Sequence, residues 1–136
     1  MAAELFTYAS ASGNPVDWDL KKKRHMDQAL HNEELLDYVE SELGTDFLDW
    51  TMTAIFYVCV HYIDARLAAR HIIVSDHIQR GSEVANLFRD IRKEYHRTYK
   101  ESRWSRYDPD YRNYTNSLRV TSYKFKMQLI KASVPP

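Results

Sequence analysis

FLDWTMTAIFYVCVHYIDARLAA, residues 47–69, is the most apolar stretch of the chain. Its apolar residues Trp50, Ile55, Phe56, Val58, Cys59, Tyr62, Ile63 and Leu67 fall on nearly every side of a 3.6-residue helix. A helix that is apolar all round is one that its neighbours surround. The stretch therefore predicts a central helix, started by Thr45-Asp46, with Asp49 reinforcing the cap and the helix dipole.

Working outward, the residues on either side read as helices with one apolar stripe. Upstream, Met26, Ala29, Leu30, Leu36, Val39 and Leu43 recur at three- and four-residue steps. Asp17 or Asp19 is placed to accept the free N–H groups at the start, and Gly44 to end the helix. Downstream, His71-Ile72-Ile73-Val74 breaks the pattern, and Ser75 or Asp76 can cap a third helix. That helix carries Val84, Leu87, Phe88, Ile91, Tyr95 and Tyr99, with Gly81 expected to set a short first turn apart. Asp108-Pro109-Asp110 is a break and a new start. A fourth helix is expected to carry Tyr111, Tyr114, Leu118, Thr121, Phe125 and Ala132 on its buried side. Four helices with short links predict an all-α protein, an antiparallel up-and-down four-helix bundle. Residues 1–16 read as a flexible N-terminal arm and residues 17–133 as a single helical domain.

Composition agrees. The chain has 136 residues, 44% apolar and 28% charged, with 3 glycines and 4 prolines. That excludes a disordered tail, a fibrous repeat and a turn-rich β fold. Cys59 is the one cysteine, so no intrachain disulfide forms, and its apolar surroundings predict a buried, inert thiol. The apolar window 50–60 is far shorter than the roughly 20 residues that cross a bilayer. The first 14 residues lack a signal-peptide pattern, so a soluble, cytoplasmic protein with no membrane partner is expected. Lys21-Lys22-Lys23-Arg24 fits a solvated helix face better than a targeting signal.

The 19 basic and 19 acidic residues cancel, but they are not mixed. Residues 27–64 hold nine acids and no Lys or Arg, while residues 65–136 carry a net charge of plus eight. One reading is complementarity between packed helices. The other is a basic face for phosphates. Residues 96–119 interleave arginines with tyrosines and Trp104, and Arg103, Arg106, Tyr107 and Arg112 are the nucleic-acid-binding candidates. Guanidinium groups pair with phosphates and rings stack on unpaired bases.

Chemistry-bearing motifs are few. No Glu-x-x-His or Asp-x-x-His occurs, and His61 with Asp64 would supply two metal ligands at most, so no metal site is expected. No Gly-rich phosphate loop and no Gly-x-Ser-x-Gly elbow occur, and no cofactor is expected. Histidine with arginine remains. An imidazole can move the ribose 2′-hydroxyl proton while a fixed cation holds the developing phosphorane charge. Arg70 and His77 straddle the second connection, with His61 on the second helix and Arg80 opening the third. These four are the catalytic candidates. His61 reads equally as a satisfied core histidine, and His77 as a surface residue at a helix start.

Asp49-Trp50, residues 56–68 (FYVCVHYIDARLA), residues 75–80 (SDHIQR) and Ser105-Arg106-Tyr107 resemble proteins of the HEPN superfamily (higher eukaryotes and prokaryotes nucleotide-binding) over about residues 21–114. The resemblance implies a helical bundle, frequently a homodimer, in proteins tied to RNA cleavage, toxin–antitoxin pairs and defence. Its catalytic signature is an Arg followed after four to six residues by a His, often with a polar residue next to the Arg. Arg70-His71 with His77 has the six-residue gap. Arg24–His31, Arg66–His71 and Arg89–His96 also fit, so the choice of Arg70–His77 rests on its helix–loop–helix corner. Two functions are expected: an RNA- or nucleotide-associated protein that acts as a metal-independent homodimeric endoribonuclease, or a non-catalytic helical module that binds a partner protein, itself or a nucleotide.

Overall fold

The computed structural model describes residues 15–136, and most of the expected arm lies outside them. The described residues form six helices and no strand: α1 (Trp18–Leu43), α2 (Leu48–Ala68), α3 (His77–Leu87), α4 (Arg92–Tyr107), α5 (Tyr111–Tyr114) and α6 (Ser117–Ala132). The all-α expectation holds. The finer division into four helices does not, because the third and fourth each split in two.

α2 is the central rod. It packs against α1, α4, α5 and α6, while α3 lies on α4. Met52, Ile55, Phe56, Val58, Cys59, Tyr62, Ile63 and Leu67 are all fully buried along it. Each large apolar side chain removed from water contributes about 1.5–3 kcal/mol. Trp50, in the all-round pattern, is instead exposed at the start of the helix. α2 begins at Leu48 with no side-chain cap, so Thr45-Asp46 forms only the turn before it.

α1 starts as expected, with Leu20 N–H donating to Asp17 Oδ1 at 3.1 Å. It ends at Gly44, whose φ of 56° suits a residue without a side chain. Ala29 and Leu36 are buried against the core, but Leu30 and Leu43 of the expected stripe are exposed. α6 differs more. Its buried residues are Val120, Met127 and Ile130, whereas Leu118 and Phe125 are 82% and 70% exposed. The expected stripe ran through Thr115-Asn116, where the chain is not helical and Asn116 restarts it by accepting the Arg119 N–H at 2.9 Å. That break rotates the later residues to another face.

The third helix breaks at residues 88–91, not near Gly81. Phe88 is fully buried there, with the Arg66 guanidinium 4.0 Å above its ring and Arg66 paired to Asp90 at 2.9 Å. Gly81 lies inside α3 facing α4, where an added Cβ would meet the His96 ring at 3.4 Å. Charge complementarity is partly realised: Lys124 and Lys131 of α6 pair with Glu40 and Glu33 of α1 at 2.7 and 3.0 Å. No described helix is long and apolar enough to cross a membrane.

Candidate functional site

The site starts from two helix positions three residues apart. His61 and Asp64 share one face of α2, and α1 lays His25 beside them. Asp76 caps α3 by accepting the Gln79 N–H at 2.7 Å, which fixes the first turn carrying His77 and, one turn on, Arg80. Arg80 is 7% exposed. It donates from Nε and Nη2 to the two Asp64 oxygens at 2.8 and 3.0 Å. Its remaining Nη1 donates to His77 Nδ1 at 2.9 Å.

This last contact fixes the state of His77. A guanidinium only donates, so Nδ1 must hold its lone pair and the ring proton must sit on Nε2. The ring packs against Phe56, Tyr99 and Tyr57 with centroids 5.5, 5.7 and 6.4 Å away. Burial, then the charges of Arg80 and Arg106, push its pKa down, against Asp64 and Asp76. His77 is thus a neutral imidazole that offers a fixed N–H donor. A general base acting through Nε2 would need the proton on Nδ1, where Arg80 already donates. The arrangement suits binding an anionic oxygen better than abstracting a proton.

Arg106 comes to the same aromatic wall from α4. Its guanidinium lies over Phe56, Tyr57 and Tyr107 at 5.5, 5.7 and 5.4 Å. Its Nη1 is buried and has no hydrogen-bond partner, as is Asp49 Oδ1. Both residues line a cavity of about 330 Å³ together with Ser105, Tyr107, Asp108, Tyr111 and Arg112. A neighbouring cavity of about 520 Å³ is lined by Lys100, Arg103, Trp104, Tyr107, Asp108 and Pro109. Tyr107, 73% exposed, belongs to both. The four nucleic-acid-binding candidates therefore gather at one corner, around the end of α4.

Of the four catalytic candidates, the structure joins His77 to Arg80 directly and His61 to both through Asp64. Arg70 stands exposed beyond the end of α2, and its side chain makes no hydrogen bond or ion pair among the described residues. Spacing did not reveal Asp64 as the group that holds Arg80, because the two lie 16 residues apart on different helices. Nor did it reveal His25, which is 36 residues from His61. His25 brings a third donor atom within 4.8 Å of those of His61 and Asp64, a neighbour that the spacing of His61 and Asp64 alone does not offer. Burial lowers the pKa of both His25 and His61, against the pull of Asp64, and the nearby charge of Arg80 adds a smaller push downward. No family model, no curated protein and no solved structure matches this chain.

Proposed function

We propose that this chain is a HEPN-like, RNA-associated helical protein that holds single-stranded RNA at the corner built by His77, Arg106, Arg103, Tyr107 and Arg112. The observation that carries the reading is the buried, unpartnered Nη1 of Arg106 on the aromatic wall that also holds the His77 donor. A buried N–H without a partner costs about 1–3 kcal/mol, which a phosphate oxygen would recover. Arg103 and Arg112 supply further phosphate contacts, and Tyr107 and Trp104 offer rings for unpaired bases. The test is anisotropy of a short labelled single-stranded RNA at low salt with EDTA. Binding that weakens with salt and with Arg106→Ala supports the reading. An Arg106→Ala chain that binds as well as the parent overturns it.

A second reading draws on the His77–Arg80 contact: a metal-independent endoribonuclease of a toxin–antitoxin or defence system. There the His77 Nε2–H would donate to the phosphorane oxygen, with Arg80 holding the ring and Arg70 and His61 in support. The same assay decides it, since RNA recovered intact after long incubation removes cleavage. A homodimer is part of both readings. Exposed Leu118, Phe125 and Leu129 on α6 support it, and a monomeric mass by light scattering at micromolar concentration would remove it.

A further inference from the structure

The polar chain that begins at His77 continues past Asp64. His25 of α1 meets His61 of α2, Nδ1 to Nδ1, at 3.1 Å. One donor atom from each of His25, His61 and Asp64 lies within 4.8 Å of the others. We propose that these three residues form a site for one divalent transition-metal ion of the zinc class, clipping α1 to α2.

Two imidazole nitrogens bound to a tetrahedral zinc at about 2.0–2.1 Å stand roughly 3.4 Å apart, close to the separation here. The Asp64 oxygen lies within 4.8 Å of both nitrogens and has to close in by at most about 1.4 Å to reach the same metal. Its two hydrogen bonds from Arg80 take one lone pair on each oxygen and leave another free for a metal. They also hold the carboxylate in place, as outer partners of metal ligands do. Two nitrogens and one oxygen suit zinc, cobalt or nickel and not the all-oxygen preference of magnesium or calcium. The fourth position falls to a small cavity of about 80 Å³ that His25 and Asp64 line with Lys21. Arg80 already balances the Asp64 charge and Lys21 adds another positive charge, so an anion, hydroxide or a phosphate oxygen, takes that position.

The competing arrangement is a plain N–H···N hydrogen bond between the two rings, which uses the same lone pair. The test strips the full chain with chelator, then titrates zinc by calorimetry and cobalt by visible absorption. One equivalent per chain and an intense four-coordinate cobalt band are expected. His25→Ala and His61→Ala should each weaken zinc by more than the roughly 10–100-fold that loss of an outer partner costs. His31→Ala, an exposed α1 histidine outside the cluster, should bind as the parent does. His25→Ala leaves the α2 core untouched, so it decides the matter if His61→Ala fails to fold. No stoichiometric zinc, or equal zinc affinity in His25→Ala, overturns the proposal. The readout is metal and not RNA, so it succeeds or fails separately from the proposed function.

Discussion

Among the described residues, two carboxylate–guanidinium forks tie one helix directly to another. Asp64 of α2 takes Arg80 of α3 at 2.8 and 3.0 Å, and Glu101 of α4 takes Arg119 of α6 at 2.6 and 2.9 Å. Their surroundings differ. Glu101 is fully buried and also accepts the Tyr111 hydroxyl at 2.9 Å, while Arg119 lies 5.2 Å from the Tyr114 ring. That fork closes on groups of α4, α5 and α6 and holds the three together. The Asp64 fork passes a third donor to His77 and has His61 and His25 beside its carboxylate. An ion pair that closes on itself fixes packing. One that hands a donor to an imidazole fixes that ring's proton, and so reaches chemistry.

The contrast is sharpest in substitutions that break each fork. Arg119→Met leaves Glu101 buried without its countercharge and should cost about 3–5 kcal/mol of stability. RNA affinity of the folded fraction should not change. Arg80→Met should cost a similar amount in a denaturant melt and also weaken RNA at least tenfold, because His77 loses its fixed tautomer. Equal RNA affinity in the two variants would erase the distinction. His77→Ala removes the Nε2 donor, so RNA should weaken by about 1.5–3 kcal/mol, the worth of a hydrogen bond to a charged group. It also leaves the buried Arg80 Nη1 without its acceptor, so stability should fall by about 1–3 kcal/mol, less than in Arg80→Met.

Acid probes the same side of the molecule. His25, His61 and His77 all have pKa values pushed below their ordinary value near 6.5, so they fold neutral. Below about pH 6.5 the unfolded chain binds more protons than the folded one. Stability should therefore be level above that pH and fall as the pH drops through the window beneath it. Urea midpoints across that range check this, and His25→Ala should flatten part of the slope. An unchanged slope would place the acid response elsewhere. The smallest effect is expected at Gly81, where α3 and α4 approach closely but a Cβ would make only ordinary contact at 3.4 Å. Gly81→Ala should raise stability by about 0.5–1 kcal/mol through lower backbone entropy in the unfolded chain. A loss instead would mean that His96 cannot give way.

The parts of the fold legible in the sequence are those set by local pattern. The all-round apolar run of α2 announces a central helix, and Asp17, Gly44 and Asp76 mark ends by their own backbone chemistry. The break at residues 88–91 was not legible, because it depends on Phe88 burying under Arg66 from another helix. A single apolar stripe over residues 111–132 points the wrong face of α6 inward, because the helical phase changes at Asn116. The site divides the same way. His77 and Arg80 are neighbours on one helix turn, and their corner could be read from the cap at Asp76. Asp64 and His25 join them only through packing, which spacing does not encode.

Both the proposed RNA corner and the contrast between the two forks depend on Arg80 holding His77 as a neutral ring with its proton on Nε2. Nitrogen-15 NMR of the histidine rings at neutral pH tests it most directly. His77 should show one protonated nitrogen, Nε2, an acceptor-type Nδ1, and a change at Nε2 when single-stranded RNA is added. A proton found on Nδ1, or a ring averaging between tautomers in the parent chain, would contradict it.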